Sequence, residues 1–494
     1  MTNIPDGPSR VEKVGYSLGD VATNFFFMSM ILYQTRFYTD TVGLSAVAVG
    51  SLFLLVRGAD AIFDPIVGAL SDRTSTRWGK FRPWILWTSL PFGLVFWMVY
   101  RTPDAGPTAK LAYAAVTYIL VMMLYSANNT PYSALTGVMT ADDSQRTSIS
   151  TYRFVAAMFG QFLIQALTLP LVDKFGGGNS ARGWSLTMGM FGAIMVVLYL
   201  ITFATTRERL LPNPKQKSSV KDDLKDVFTC GPWVMMFLLT LFVFTTLVLR
   251  GSSMNYYFAY YLDPAQLHPF LDKVGLGTVS GSQTWWKSAL DALGLIARPD
   301  GSNASSVALS FFLMAGNVIQ VVGILLSKPL SDRFGKKAVF ISGMGLSTVV
   351  TALIFFVPPT SINLLFFLSM LWPLGWGPTV PLLWVMIADV ADYSEWKHSR
   401  RATGFIYAGI LFALKAGLGF GGALSAWLLA AYDYVPNAVQ TPHALLGIRL
   451  CATFFSAVPF VMGLVCLALY PIGRELGARV QRELAERRAV QNLA

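Results

Sequence analysis

Two carboxylates and a guanidinium lie inside an otherwise apolar stretch, SLFLLVRGADAIFDPIVGAL at 51–70. Asp60 and Asp64 are four residues apart, so a helix places both on one face, and Arg57 lies about one turn before Asp60. Two carboxylates that are shielded from bulk water repel each other unless a cation lies between them or a proton neutralises one. The spacing therefore predicts a site that takes up and releases a cation. The alternative is a static bracket of charges that only holds helices together.

Other ionisable residues also lie in apolar stretches. An ionisable side chain inside a membrane span is costly unless it is paired or hydrated, and it marks a functional site by default. Asp20 is one such residue, and with Arg57 it forms a predicted charge network; Arg153 is another. Lys415, in GILFALKAGLGFG, has no acidic neighbour in the sequence. We expect Lys415 to pair with one of the two carboxylates described above. Four charged residues nearer the ends of apolar stretches are predicted to be structural anchors: Arg36, Asp40, Arg250 and Arg449.

Amides and hydroxyls cluster in a third apolar stretch, YSANNTPYSAL at 125–135. Buried amides need hydrogen-bond partners, and Asn129 lies beside a helix-breaking proline. Asn24 and Gln165 are similar amides in other apolar stretches. Amides, hydroxyls and aromatic rings together suit a neutral polyhydroxyl ligand such as a sugar. The alternative is that these groups hydrogen-bond neighbouring helices to one another.

The elements that carry these residues are predicted to span a membrane. The 494 residues are 54% hydrophobic and 13% charged, whereas soluble domains carry roughly 25% charged residues. A spanning helix needs ~20 mostly apolar residues. Twelve stretches meet this length: 17–38, 45–70, 83–100, 111–139, 153–172, 186–205, 228–262, 305–327, 338–357, 361–391, 402–432 and 445–472.

The loops between these stretches predict the orientation. The loops on the side of the two termini carry 25 basic residues, and those on the other side carry 7. Basic residues collect in cytoplasmic loops, so both termini are predicted to be cytoplasmic. The net charge of +11 therefore reflects membrane topology and does not indicate nucleic-acid binding. The expected location is the cytoplasmic (inner) membrane.

The chain repeats a short motif. SDRTSTRWGK follows the second apolar stretch and SDRFGKK follows the eighth. One copy is ordinary loop composition, but two copies at equivalent positions indicate two six-helix halves, a repeat that is typical of transporters. The predicted divisions are a first bundle at 1–206, a linker at 207–227, a second bundle at 228–472 with a long extracytoplasmic loop at 263–304, and a tail at 473–494.

Several classes of function are disfavoured by the same sequence. The three cysteines and three histidines have no metal-ligand or disulfide spacing. The chain has no phosphate loop, HExxH motif or nucleophile elbow, so we predict that it is not an enzyme and has no catalytic or metal-binding residues. Residues 1–16 have no apolar core of a signal peptide. A sensor that has lost transport is a further alternative, although the buried charges are retained.

Six plus six helices with paired SDR..GK turns resemble the major facilitator superfamily. The resemblance implies the fold of that superfamily, an all-α integral membrane protein of twelve helices in two halves. It also implies that the charges of the turns latch helix ends between conformational states. The residues that would take this gating role are Asp72, Arg73, Asp332 and Arg333.

A narrower resemblance rests on RGADAIFDPIVGALSDRTSTRWGKFRPWIL and MIADVADYSEWKHSRRATG. Both are similar to motifs of the glycoside–pentoside–hexuronide:cation symporters, and the similarity runs from about Gly15 to Tyr470. It implies a binding site for Na⁺, Li⁺ or H⁺ at Asp60, Asp64 and Ser126. It implies substrate contacts at Asn24, Tyr125, Asn129, Ser133, Arg153 and Lys415.

The sequence departs from one member of that family, melibiose permease, at four positions. Asn24 and Asn129 match its two sugar-binding carboxylates, and Ser133 matches its sugar-stacking tryptophan, so an α-galactoside is not the expected substrate. Phe63 replaces an amide that lies between the two acids. Na⁺ prefers several oxygen ligands, whereas a proton needs one carboxylate, so we expect H⁺ rather than Na⁺.

These observations predict a secondary active transporter that carries a sugar or glycoside with a cation by alternating access. The alternative substrate is a lipid-like amphiphile or another non-sugar solute. Apart from the coupling cation no cofactor is expected, and the predicted protein is a monomer. Within the long loop at 263–304, TWWKSALDALGLIA is predicted to form a short amphipathic helix with Trp285 and Trp286 as its membrane anchors.

Overall fold

The computed structural model describes residues 7–140, 142–209, 230–277, 285–398 and 403–491. Every regular element in these ranges is a helix, which confirms the all-α prediction; the one β contact there is an isolated bridge between Thr76 and Gly79. The first six helices are α1 (Arg10–Arg36), α2 (Ala46–Arg73), α3 (Arg82–Val99), α4 (Pro107–Met139), α5 (Asp143–Gly176) and α6 (Ser180–Thr205).

The remaining helices include two short ones in the predicted extracytoplasmic loop. They are α7 (Gly231–Tyr256), α8 (Pro264–Lys273), α9 (Trp285–Ala292), α10 (Ala304–Phe334), α11 (Lys336–Leu353), α12 (Ile362–Trp376), α13 (Thr379–His398), α14 (Thr403–Ala431), α15 (Pro442–Ala452), α16 (Phe454–Leu469) and α17 (Arg474–Gln491).

Nine helical stretches of the described chain are long and apolar enough to cross a membrane. They are α4 to α7, α10, α11 and α14, together with the pairs α12–α13 and α15–α16. The first three helices are not among these nine stretches. The number twelve therefore stays a prediction.

The contacts divide the chain into two compact units. The first unit contains α1 to α6, α8, α9, the start of α10 and residues 433–441. The second unit contains α7, the rest of α10 and α11 to α17. The predicted division into bundles at 1–206 and 228–472 remains a prediction, and most of the predicted linker at 207–227 lies outside the described residues.

Two helices end in a π-helical turn. The turn Phe37–Thr41 continues α1, and the turn Tyr257–Tyr261 continues α7. A π turn holds one extra residue per turn and often occurs at functional sites. Since α1 and α7 open the two predicted halves, the shared feature agrees with the internal repeat.

The repeated Gly-Lys dipeptide begins a helix in both copies. Gly79 (φ +110°) precedes α3 and Gly335 (φ +86°) precedes α11. At Gly79 the turn lies against Glu208, whose carboxylate accepts hydrogen bonds from the backbone N–H groups of residues 80, 81 and 82 at 2.8–2.9 Å. A carboxylate at this position satisfies the N–H groups that a helix start leaves unpaired and opposes the positive end of the helix dipole.

A second carboxylate ties the start of α1 to the same region. Ser9 and Glu12 form a capping box, and Arg209 donates two hydrogen bonds to Glu12 at 3.0 and 2.8 Å. Burial disfavours the charged form of Glu12, but the hydrogen bonds from Arg209 and from the Ser9 N–H outweigh it, so the pKa of Glu12 lies below its usual value. The carboxylate therefore stays ionised and paired at neutral pH.

The predicted amphipathic helix of the long loop is present as α9. Trp285 is 84% exposed and Trp286 is 41% exposed, and none of the side chains of α9 is buried. Lys174, near the end of α5, donates hydrogen bonds to the carbonyl groups of Asp291 and Ala292 at 2.6 and 3.0 Å. A cation at a helix C-terminus is favourable, so this contact fixes α9 on the first unit. Membrane anchoring by the two tryptophans stays a prediction.

The two glycines of the repeat predict a difference in stability. Gly335→Ala is expected to lower the free energy of unfolding by about 1–3 kcal/mol, because a residue with a side chain is strained at positive φ. Gly79→Ala should cost more, because an added Cβ would lie 2.5–2.8 Å from the carboxylate of Glu208, whereas no atom lies within 4 Å at Gly335. Thermal unfolding of both variants in detergent measures the difference. Equal losses would show that the Glu208 contact adds nothing.

Candidate functional site

Asp60 forms the centre of the predicted cation site. Asp60 lies on α2 and is only 3% exposed. Its Oδ1 accepts a hydrogen bond from the hydroxyl of Ser126 on α4 at 2.9 Å. The guanidinium of Arg57 lies 3.7 Å from the other carboxylate oxygen. A hydroxyl and a guanidinium stabilise the ionised carboxylate, so these three residues, predicted separately, form one contact group.

Asp64 lies one helical turn further along α2 and is half-buried. Its spacing from Asp60 places both carboxylates on one side of the helix. Phe63, the residue between them that replaces an amide in the predicted site, is also half-buried on α2. The described residues hold no group of three or more His, Cys, Asp or Glu side chains arranged to bind a metal ion. The role of these acids in cation binding stays a prediction.

The second group of charges joins α1, α4 and α5. Arg153 donates two hydrogen bonds to Asp20, from Nε to Oδ2 at 2.8 Å and from Nη2 to Oδ1 at 3.0 Å. The hydroxyl of Tyr132 lies 2.6 Å from Oδ2 of Asp20. The guanidinium also lies 5.2 Å above the ring of Tyr16 and 5.0 Å above that of Tyr132. Arg153 is therefore fully engaged by an acid of α1, a pairing that the sequence did not predict.

Close packing makes this arrangement dependent on a small residue. A Cβ added at Gly19 would lie 2.4 Å from the ring of Tyr132. The hydroxyl of Tyr16 in turn donates to the carbonyl of Tyr132 at 2.6 Å. Gly19 thus lets α1 approach α4 closely enough for Asp20 to reach both of its partners.

The neighbouring amides of α4 have different surroundings. Asn128 is fully buried and donates to the hydroxyl of Thr88 on α3 at 2.8 Å, which is a contact between helices. Asn129 is half-buried and donates to the hydroxyl of Tyr125 at 3.4 Å. Asn24 donates to the carbonyl of Asp20 at 2.8 Å. The amides of Asn129 and Asn24 are the ones left partly accessible.

Two further predicted substrate contacts lie elsewhere. Ser133, one turn beyond Asn129 on α4, is exposed. Lys415 lies on α14 in the second unit and is half-buried. Its predicted pairing with a carboxylate of α2 stays a prediction.

The predicted gating residues lie at helix ends. The side chain of Asp72 lies outside the described residues, and Arg73 is exposed. Asp332 pairs with Lys328 at 2.7 Å, and both side chains are largely exposed. Arg333 lies 5.2 Å above the ring of Phe334.

Another pair in the second unit is more buried than that of Asp332. Lys336, of the repeated Gly-Lys dipeptide, contacts both carboxylate oxygens of Asp389 at 2.7–2.8 Å. Asp389 was not among the predicted residues, although it lies in the quoted motif MIADVADY.

Asp40, which was predicted to be a structural anchor, lies 3.6 Å from the guanidinium of Arg36. Its side chain is only 7% exposed, and its carboxylate accepts hydrogen bonds from the hydroxyls of Tyr260 and Tyr434 at 2.8 and 2.7 Å. The amide of Asn437 donates to its carbonyl oxygen at 2.6 Å. All five residues belong to the first unit. The sequence gives little sign of this cluster because the three segments that carry its members are separated by more than 170 positions.

Arg250 and Arg449 were also predicted to be anchors with their charges directed outward. Arg250 is only 8% exposed, and its guanidinium lies 4.4 Å above the ring of Trp372. Arg449 lies 4.4 Å above the ring of Phe355 and donates to its carbonyl oxygen at 2.7 Å. Arg250 therefore contradicts the prediction, because its charge is buried among aromatic residues.

The pair of Asp20 and Arg153 predicts an asymmetric mutational effect. Arg153→Gln should lower the free energy of unfolding by about 3 kcal/mol, because it leaves the carboxylate of Asp20 without its cation. Asp20→Asn should cost less, because the long arginine side chain can turn toward water. The double variant should recover much of the loss of Arg153→Gln. Thermal unfolding in detergent tests this; additive losses in the double variant would contradict the pairing.

The Asp40 cluster predicts a local loss of order. Asp40→Ala removes the acceptor of two tyrosine hydroxyls, so hydrogen–deuterium exchange at 433–441 should become faster. Tyr434→Phe removes one of these hydrogen bonds and should give a smaller change in the same segment. Unchanged exchange there in the alanine variant would show that the cluster does not hold the segment.

Comparison with known proteins gives a consistent result along the whole chain. The sequence model of a family described as MFS/sugar transport protein matches residues 15–294 and 301–474. The inner membrane symporter YicJ of Escherichia coli is 36% identical over 451 residues, covering 91% of this chain and 88% of YicJ. The putative glycoside/cation symporter YagG of the same organism is 34% identical and covers 98% and 96% of the two chains. The isoprimeverose transporter of Lactiplantibacillus pentosus is 31% identical, covering 97% and 92%.

Solved structures support the same fold at low sequence identity. A D-xylose–proton symporter superposes with a TM-score of 0.60 at 14% identity, covering 93% of this chain and 96% of that one. The nucleoside transporter NupG gives 0.59 at 12% identity, with coverage of 94% and 100%. The predicted all-α major facilitator fold is thereby confirmed, and the count of twelve helices stays a prediction. The protein is a multi-pass integral membrane protein with the major facilitator fold, and it belongs to the MFS/sugar transport protein family, a family of transporters and not of enzymes.

Proposed function

We propose that this protein is a secondary active transporter that moves a sugar or glycoside together with a cation. The observation that carries the proposal is the buried carboxylate of Asp60, held by Ser126 at 2.9 Å and faced by Arg57 at 3.7 Å. A buried acid of this kind can change its charge by taking up a cation. The relatives named as symporters support the same reading.

The coupling ion that we propose is H⁺, taken up by Asp60 or Asp64. Na⁺ prefers several hard oxygen ligands, and Phe63 offers none where a ligating amide would be. A proton needs only one carboxylate oxygen, so the absence of an amide at position 63 does not impair proton binding. No cofactor other than this cation is proposed.

The proposed substrate contacts are partly accessible polar groups of α1 and α4. Asn24 and Asn129 supply amides, and Tyr125 supplies a hydroxyl and a ring. Such groups match the hydroxyls and the apolar face of a sugar better than they match an acyl chain. The names of two relatives, a glycoside/cation symporter and an isoprimeverose transporter, agree with this substrate class. Ser133, Arg153 and Lys415 complete the proposed set.

Coupling follows from linkage between the two sites. If a cation at Asp60 raises the affinity for sugar, then sugar must raise the affinity for the cation by the same factor. We propose that alternating access then carries both across the cytoplasmic membrane, in a monomer whose termini are both cytoplasmic. In this scheme the charges of the two repeated SDR turns latch helix ends between conformational states: Asp72, Arg73, Asp332 and Arg333.

Transport in proteoliposomes tests the proposal. Vesicles with an external pH dye and no membrane potential receive a panel of pentoses, hexoses, hexuronates and glycosides, with and without Na⁺. One or more sugars should cause the external solution to become alkaline as protons enter with them. The double variant Asp60→Asn/Asp64→Asn should abolish this signal, because neither amide can carry the proton, and Ser126→Ala should weaken it by a factor of about 10 through loss of one buried hydrogen bond to Asp60.

The control for both variants is Asn128→Ser, which changes an amide that contacts a neighbouring helix and should leave proton coupling in place. Sugar entry that depends on Na⁺ without proton movement would overturn the choice of ion and keep the symporter. No movement of any sugar under either condition, with intact protein in the vesicles, would overturn sugar transport itself.

A further inference from the structure

A buried arginine in the second unit has no acid paired with it among the described residues. Arg250 lies on α7 and is 8% exposed. Its Nε and Nη2 atoms are buried, and no acceptor in the described part of the chain hydrogen-bonds to them. Arg153 and Lys336, by contrast, each pair with a carboxylate at 2.7–2.8 Å. A buried cation without a counter-charge is unfavourable, so Arg250 requires a separate explanation.

Trp372, which contacts Arg250, and a serine about one turn from each of these two residues also have unused hydrogen-bonding groups. Nε1 of Trp372 on α12, Oγ of Ser253 and Oγ of Ser369 are buried, with no hydrogen-bond partner among the described residues. Ser253 follows Arg250 by three residues on α7, and Ser369 precedes Trp372 by three residues on α12, so each shares a helix face with its neighbour. Buried polar groups in native proteins are almost always hydrogen-bonded. Four such side chains on two contacting helices indicate a ligand.

Aromatic packing holds the ring beneath the guanidinium in place. Trp372 lies parallel to Phe460, with an interplanar angle of 3° and centroids 6.4 Å apart. Trp376 stacks on both rings at centroid distances of 6.1 and 5.7 Å. The guanidinium of Arg250 lies 4.4 Å above the centroid of Trp372. This cation–π contact compensates only part of the cost of burying the charge, and it leaves the donors at the edge of the guanidinium for another partner.

The chemistry of these groups selects an anion. A guanidinium presents parallel N–H donors whose spacing matches the two oxygens of a carboxylate. The indole N–H of Trp372 is a further donor, and the two serine hydroxyls can donate or accept. No acidic side chain of the described chain forms an ion pair with Arg250 that would compete for these donors.

We propose that Arg250 binds the carboxylate of an acidic sugar, and that Trp372, Ser253 and Ser369 complete this site. The inference rests on the proposed sugar transport and narrows its substrate class to sugar acids or their glycosides. The N–H of Trp372 can donate to an oxygen of the ligand. The ligand then supplies the negative charge that the protein omits.

The experiment compares matched acidic and neutral sugars on the full-length protein in lipid nanodiscs. The probes are D-glucuronate with D-glucose, D-galacturonate with D-galactose, and methyl β-D-glucuronide with methyl β-D-glucoside, with binding measured by calorimetry. At least one acidic sugar should bind about tenfold or more tightly than its neutral partner. Arg250→Gln should remove this preference and leave the weak binding of the neutral sugar unchanged, whereas Arg250→Lys should retain part of the preference.

Arg449→Gln is the matched control, because Arg449 also lies above an aromatic ring but already donates to a backbone carbonyl at 2.7 Å. It should leave the preference intact. Ser369→Ala, a smaller change, should lower the affinity for the acid several-fold and provides the test if Arg250→Gln does not fold. Folding of each variant is checked by thermal unfolding.

Three outcomes would overturn the inference. Equal or tighter binding of every neutral sugar would do so while leaving sugar transport in place. An equal loss for the acidic and neutral sugars in Arg250→Gln would assign Arg250 a purely structural role. Failure of the unmodified protein to bind any member of the panel, together with failure to transport any sugar in proteoliposomes, would overturn the proposed function itself.

Discussion

The cost of burying charge organises this protein. In a chain with only 13% charged residues, each ionisable group within an apolar helix needs a partner or a ligand. Asp20 has a bidentate guanidinium and a tyrosine, Asp60 has a serine and an arginine, and Asp40 has two tyrosines. In each case at least one partner lies on a different segment of the first unit. The charges therefore determine which helices must meet, and the apolar residues fill the space between them.

Local patterns in the sequence predicted the helices well and their interruptions poorly. Apolar length alone predicted single stretches at 361–391 and 445–472, but the structure breaks the first between Trp376 and Thr379 and the second at Thr453. The first break lies among Pro373, Gly377 and Pro378, which disrupt helical hydrogen bonding. Hydropathy predicts that a segment lies in an apolar environment, but it does not predict where the helix is interrupted. An apolar stretch that is long enough to span the membrane can therefore contain two helices.

The residues of the candidate site were mostly predictable, and their partners were not. The spacing of Arg57, Asp60 and Asp64 is local, and it was sufficient to place them on one helix face. Asp20 and Arg153 were both identified as unusual, yet 133 positions separate them, and nothing in the sequence pairs them. The adjacent amides Asn128 and Asn129 are identical in type, and only the position of Thr88 on another helix distinguishes them.

Arg153 and Arg250 show that the role of a buried arginine depends on its partners. Both are arginines in apolar helices, and both lie above aromatic rings at 4.4–5.2 Å. Arg153 also has a carboxylate, so its charge is balanced within the protein and its removal mainly exposes Asp20 to an unfavourable environment. Among the described residues Arg250 has only the ring, and the carboxylate of the proposed ligand would balance its charge. A charge that the fold neutralises holds the structure together, whereas a charge that the fold leaves unbalanced is available to a ligand.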